Sequence, residues 1–154
     1  MITMGGIPEN YPFLDQLLKS EDITFLIPGA GQKAIRRRNL ILLPHRSEFF
    51  HPDLVTASDA LVGKVGYSTL SEVYWAGIPF GYIARDDFRE SPALISFIEK
   101  NMRGLPLSAK DFASGAFASH LRELFALGSV ERNGLNGAEQ AARFLLNLVK
   151  NTGS

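Results

Sequence analysis

Gly66-Tyr67-Ser68-Thr69 sets a glycine and two hydroxyl side chains almost side by side, and Glu72 follows Thr69 by three positions. If a helix starts here, its first N–H groups have no intrahelical partner. The positive end of its dipole faces outward, so a phosphate or other anion is stabilised there. The same Thr-x-x-Glu spacing is that of a capping box, in which the two side chains only satisfy the helix start. Ser68, Thr69 and Glu72 are therefore each read two ways, as ligands or as caps, while Gly66 meets a backbone need in either case. Further candidates are the Gly5-Gly6 pair, His45 directly after an apolar run, and the charged segment Arg85-Asp86-Asp87-Phe88-Arg89-Glu90. That segment can equally be a surface loop of weak ion pairs. His51 and His120 carry no functional assignment, and Arg36-Arg37-Arg38 reads as a solvated run.

These residues need elements to position them. Asp59 to Val62 is a short apolar strand that Gly63 ends. A helix follows from about Ser68 with Leu70, Val73 and Tyr74 on one face, Gly77 stops it, and Pro79 to Ile83 is the next strand. Upstream, Met1 to Met4 reads as a strand, Tyr11 to Lys19 as a helix, Ile23 to Pro28 and Leu40 to Leu43 as strands, and Gln32 to Asn39 as a loop. Phe49 to Ala57 is a connection of one or two helical turns. Downstream, a helix over Ser91 to Met102 with Pro92 in its first turn leads to a weak strand at Gly104 to Leu107. Further helices span Phe112 to Leu127 and Ala138 to Val149. Continuous apolar strands alternating with helices predict an α/β fold: a Rossmann-like parallel sheet of about six strands with helices on both faces. Gly5-Gly6, Gly29, His45, Gly66 to Thr69 and the Asp86 to Glu90 loop all follow strands. They converge on the crevice beyond the carboxyl ends of the sheet.

Composition removes several alternatives. Lys plus Arg and Asp plus Glu each number 16, so the zero formal charge argues against a dedicated nucleic-acid binder. With no cysteine among 154 residues, disulfides, thiolate metal sites and cysteine nucleophiles are excluded. No apolar run approaches the roughly 20 residues of a membrane span, and a cytoplasmic location is expected. Gly63-Lys64 is not a phosphate-binding P-loop, because Ser58 stands where the first glycine belongs and Val65 where Ser or Thr must hold magnesium. Gly29-Ala30-Gly31 followed by Ala34 matches a dinucleotide fingerprint only in part. Met1 to Met4 runs straight into Gly5-Gly6, as at the edge of a domain of a larger protein.

The stretch Asp59-Ala60-Leu61-Val62, Gly66-Tyr67-Ser68-Thr69-Leu70-Ser71-Glu72, Ala76-Gly77-Ile78-Pro79 resembles the C-terminal, nucleotide-sugar-binding domain of GT-B glycosyltransferases. It is more similar still to the glycosyltransferase-like region of arabinokinase-like proteins, where Gly63-Lys64-x-Gly66-Tyr67-x-Thr69-x-Ser71-Glu72, an Arg-Asp-x-Phe-x-Glu element like Arg85 to Glu90, and Asn136-Gly137-Ala138-Glu139 recur. The resemblance implies one half of a GT-B fold over residues 1–154, as the C-terminal half of a longer two-domain protein. It also implies diphosphate binding by Gly5, Gly6, Gly66, Ser68 and Thr69, ribose binding by Glu72, base contact by His45, and sugar binding by Glu90 with Asp87. The Asp86-Asp87-Phe88-Arg89 loop departs from the His or Gln of many members, which leaves the sugar open.

Carried through, the resemblance implies a metal-independent glycosyltransferase acting on a nucleotide-diphosphate sugar such as a UDP-sugar. The base and acceptor pocket lie on the missing N-terminal domain, so the isolated chain is expected to bind donor without turning it over. No catalytic residue is assigned. The alternative is a non-catalytic nucleotide- or sugar-sensing module that retains the half-fold. A related epimerase is the third option, but it needs an acid/base pair across the crevice, and no convincing pair is present.

Overall fold

Apolar runs of four to seven residues are too short for stable helices and bury well on two sides, and here they become strands. In the computed structural model, which describes residues 1–5, 11–132 and 135–151, the strands are β1 (Ile2–Thr3), β2 (Phe25–Gly31), β3 (Ile35–Arg37), β4 (Leu40–Pro44), β5 (Leu61–Lys64), β6 (Phe80–Ile83) and β7 (Gly104–Leu107). The helices among them are α1 (Leu14–Leu17), α2 (His51–Thr56), α3 (Tyr67–Ala76), α4 (Ser91–Asn101), α5 (Ala109–Ser114), α6 (Leu121–Ala126) and α7 (Gly137–Asn151).

The expectation of one parallel sheet of about six strands is met in class and corrected in detail. β1-β5-β6-β7 form a four-stranded, fully parallel sheet, and β2-β4-β3 form a separate three-stranded, mixed sheet. β2 and β4 are parallel, whereas β3 is antiparallel to β4. β1 lies alongside β2, so the two sheets continue one another across that edge without a hydrogen-bonded ladder between them.

The segment expected as a loop over Gln32 to Asn39 contains β3. Arg38 turns the chain into β4 with φ 52°. Asn39 then fixes the hairpin by donating its amide to Leu17 O, Ser20 O and Ile23 O at 2.8–3.0 Å. The arginines of β3 remain exposed, as expected, but as charges on an edge strand that discourage pairing with another chain.

Helices cover both faces. On one, Phe13 and Leu17 pack with Phe112, Phe117, Leu121 and Leu124 over Ile2, Ile27 and Val62. On the other, Val55, Leu70, Val73, Leu94 and Ile98 cover Leu61, Phe80 and Tyr82. The long helix expected over Phe112 to Leu127 is instead α5, a 3₁₀ segment (Ala116–His120) and α6. Gly115, with φ +80°, breaks it. The chain must bend around Phe13, whose Cβ lies only 2.6 Å from where a Gly115 Cβ would stand. The Phe13 ring meets those of Phe112 and Phe117 edge-on at 5.1 and 5.2 Å. The helix expected over Tyr11 to Lys19 is reduced to α1. α7 leaves Phe144, Leu145 and Leu146 more than half exposed, at 63, 58 and 59%. Among the described residues no helix is long and apolar enough to cross a membrane.

Candidate functional site

The chain leaves β1 toward β2 and β4 on one side, then crosses back through α2 to β5, β6 and β7 on the other. Strand order therefore reverses between β1 and β5, and in open α/β sheets the crevice beyond the carboxyl ends of such strands is the ligand position. Two cavities open there. The smaller, about 290 Å³, is lined by Gly5, His45, Ser68, Thr69 and Glu72, all of them candidates from the sequence, and also by Thr3 and His51. The larger, about 590 Å³, is lined by Gly66 and Asp87 together with Lys64 and Arg85. Gly5, Ser68 and Thr69 line both, so the start of α3 stands between the two.

The capping-box reading of Thr69 and Glu72 is not what the structure shows. Gly66 occupies the N-cap of α3 with extended backbone and has no side chain to close over the first turn. The first intrahelical bond is Leu70 N–H to Gly66 O at 2.9 Å. Thr69 thus lies inside the first turn, one turn too late to cap it, and is buried. Ser68 is exposed at the mouth of the crevice. Glu72 is one turn further along, and its carboxylate Oε2 is 2.7 Å from Nδ1 of His51. This arrangement leaves the positive end of a ten-residue helix facing the crevice without a cap side chain of its own.

His51 is the residue that sequence reasoning passed over. It is the first residue of α2, with Pro52 behind it in the first turn and Val55 fully buried against the α3 side of the core. The available signal was His51-Pro52-Asp53, a helix start following a strand, which puts its first turn at the carboxyl edge of the sheet. The imidazole Nε2 lies 3.4 Å from Oγ1 of Thr3, which itself accepts the N–H of Gly5 at 3.3 Å. Thr3 is buried. A chain of polar contacts therefore runs Gly5–Thr3–His51–Glu72 and ties β1, α2 and α3 together. An ionised carboxylate only accepts, so Nδ1 carries the hydrogen toward Glu72.

The other candidates separate. His45 follows β4, and a Cβ added at Gly29 would stand 3.6 Å from its Nδ1, so its ring lies at one end of the smaller cavity over Gly29, which sits in the irregular end of β2 and not in the turn expected after that strand. Asp87 lines the larger cavity in the β6–α4 loop. There Arg85 stacks 4.7 Å over Phe88, its Nε is 3.8 Å from Asp87, and its carbonyl accepts the Ser91 hydroxyl at 2.8 Å. Glu90 is exposed at the N-cap of α4 and lines neither cavity. Gly6 lies outside the described residues. Among those described, no group of three or more His, Cys, Asp or Glu side chains converges to hold a metal ion.

No family model matches the chain. L-arabinokinase of Arabidopsis thaliana is 30% identical to it over 145 residues, 94% of this chain and 14% of that protein. The similarity to an arabinokinase-like protein, expected along nearly the whole chain from Gly63 to Glu72, Arg85 to Glu90 and Asn136 to Glu139, is thus present over that length, while the chain spans about one seventh of the relative it matches. Among solved structures, the glycosyltransferase SnogD from Streptomyces nogalater is 18% identical, with a TM-score of 0.48 over 94% of this chain and 42% of that one. EarP, described in connection with arginine glycosylation of translation elongation factor EF-P, is also 18% identical, with a TM-score of 0.41 over 97% and 60%.

Proposed function

We propose that this chain is the donor-binding half of a GT-B type glycosyltransferase, gripping a nucleotide-diphosphate sugar such as a UDP-sugar. The observation that carries the reading is that Gly5, the uncapped start of α3 and Glu72 share one crevice where strand order reverses. The diphosphate sits at Gly66, Ser68 and Thr69, where oriented N–H groups and the helix dipole meet its charge. Gly5 approaches it from the end of β1. Glu72 accepts the ribose hydroxyls, and His45 borders the base. The sugar extends through the larger cavity past Asp87 toward Glu90.

In transfer, the leaving diphosphate gains charge, and fixed N–H donors aimed at it act as an oxyanion hole does, without a metal ion. The general base and the acceptor pocket are assigned to a second, N-terminal domain of a longer cytoplasmic polypeptide. The 154-residue chain is accordingly a binder rather than an enzyme, with no nucleic-acid partner. Titration calorimetry with UDP, GDP and their sugars tests this: saturable binding of at least one diphosphate is expected, and binding of none overturns it.

The alternative reading is a nucleotide- or sugar-sensing module that keeps the half-fold without transfer. Donor hydrolysis or transfer by a longer polypeptide containing this region separates the two readings.

A further inference from the structure

We infer that His51 is a positioning residue for Glu72 and sets how strongly the crevice prefers a ribose over a 2′-deoxyribose. The inference rests on the reading that Glu72 takes the ribose hydroxyls. A glutamate on a helix surface samples several rotamers, and ordering it on a ligand costs affinity. Here that ordering is built in beforehand. Nδ1 of His51 holds Oε2 at 2.7 Å, and both side chains are largely sheltered, at 34 and 21% exposure.

The imidazole is in turn held from its far side. Nε2 faces the buried hydroxyl of Thr3 at 3.4 Å, and that hydroxyl is fixed by the Gly5 N–H. His51 also starts α2, whose Val55 is anchored in the core, so the ring has little freedom to follow a wandering carboxylate. One acceptor site of Glu72 is spent on His51. Oε1 and the second lone pair of Oε2 remain for a ligand. A carboxylate held in that pose can accept two neighbouring hydroxyls. A sugar lacking one of them leaves an aligned, desolvated acceptor unpaired, which is how a built polar site rejects the deoxy analogue.

The test uses the 154-residue chain and two ligand pairs, UDP with 2′-deoxy-UDP and GDP with 2′-deoxy-GDP, followed by calorimetry with whichever pair binds. The unmodified chain is expected to prefer the ribonucleotide by about tenfold or more. His51→Leu should lose most of that preference while its affinity for the deoxynucleotide stays within about twofold, since a purely structural role would weaken both ligands alike. His51→Asn, whose amide nitrogen stands near the Nδ1 position, should keep the preference. His51→Gln, whose amide reaches the Nε2 position instead, should not. Thermal unfolding of each variant identifies any that fails to fold, and the Asn and Gln pair then decides. An unchanged preference in folded His51→Leu, or equal preferences in the Asn and Gln variants, overturns the inference and leaves the ribose reading of Glu72 standing. Binding without ribose preference in the unmodified chain overturns that reading of Glu72. Absence of any nucleotide binding overturns the reading of the whole crevice.

Discussion

His51 and Glu72 are 21 residues apart in sequence, and their side chains meet at 2.7 Å. The contact joins α2 and α3, the helices that precede and follow β5, at the crevice that Glu72 shares with the start of α3. A glutamate that is neither a cap nor a surface charge, and that faces a crevice, has a distinctive mutational signature.

Glu72→Gln is expected to lower nucleotide affinity about ten- to a hundredfold, the range for losing the charge from a charge-assisted hydrogen bond. The unfolding midpoint should move little, because the amide keeps the shape and can still pair with His51. Had Glu72 been a capping-box partner, the effects would reverse, with stability falling and affinity unchanged. Calorimetry and thermal unfolding on the same preparation distinguish the two patterns.

Gly66→Asp probes the helix start directly. The backbone need expected of Gly66 is not there: its backbone is extended and an added Cβ meets nothing within 4 Å, so a side chain is accommodated without strain. Aspartate is a preferred N-cap residue and improves on glycine there by a few tenths of a kcal/mol. The variant should therefore be as stable as the parent or slightly more so. Its carboxylate would occupy the N–H groups offered to the diphosphate and repel it, and affinity should drop by about tenfold or more. A stabilised variant with undiminished diphosphate binding would remove the anion from the start of α3.

The contrast between two Asx/ST-x-x-Glu patterns shows how far the sequence could be read. Asn136 and Glu139 form a reciprocal capping pair, Glu139 N–H to Asn136 Oδ1 at 2.9 Å and Asn136 N–H to Glu139 Oε2 at 3.1 Å. Thr69 and Glu72 have the same spacing and do not cap, because the helix had already begun at Tyr67 behind a glycine N-cap. Spacing alone does not set the phase of a helix start. The strands from β4 to β7, the Gly77 stop and the two-sided core were legible because apolar runs and a helix-stop glycine are local signals, but Gly63 does not end its strand as expected: β5 runs on to Lys64, and Gly63 pairs with Thr3 and Tyr82, where a Cβ would stand 2.4 Å from Thr3 O. The break at Gly115 was not, since it depends on Phe13, a hundred residues earlier, filling the bend. β3 was hidden because its residues are charged and exposed, and only the partner strand makes it a strand. The crevice residues on the βα loops could be listed from topology. Their division between two cavities, and the His51 contact, needed the helices placed in space.

A pH dependence of stability follows from the Met1 amine. It donates to Ala60 O at 2.7 Å, and burial lowers its pKa from 8.0 to about 6, a shift that Asp59 opposes. Above about pH 8 the amine is neutral in both the folded and unfolded chain and costs nothing. As pH falls from 8 toward 6, the unfolded chain takes up the proton and the folded one does not, so stability declines. Below about 6 both are protonated and the loss levels off. Two pKa units correspond to about 2–3 kcal/mol. For the chain starting at Met1, urea unfolding at pH 8.5 and pH 6 should show this difference, and acetylation of the amine should abolish it. Asp59→Asn should enlarge it by removing the opposing charge.

Gly77 and Gly128 have nearly the same backbone, φ +69° and +67°, in different surroundings. At Gly77 an added Cβ would stand 1.9 Å from the carbonyl oxygen of Val130, whose N–H donates to Gly77 O at 2.7 Å. At Gly128 it would meet nothing within 4 Å. The left-handed conformation alone costs a non-glycine residue about 1–2 kcal/mol. Gly128→Ala should lose about that much. Gly77→Ala must also push the 130 segment off the C-terminus of α3, where Arg132 bonds Tyr74 O at 3.2 Å and covers the Tyr74 ring at 4.0 Å. Its loss should exceed 3 kcal/mol, roughly the sum of the conformational and overpacking costs. Denaturant titration of the two variants reads the difference. Equal losses would mean that the close approach of Val130 to the end of α3 contributes nothing to stability.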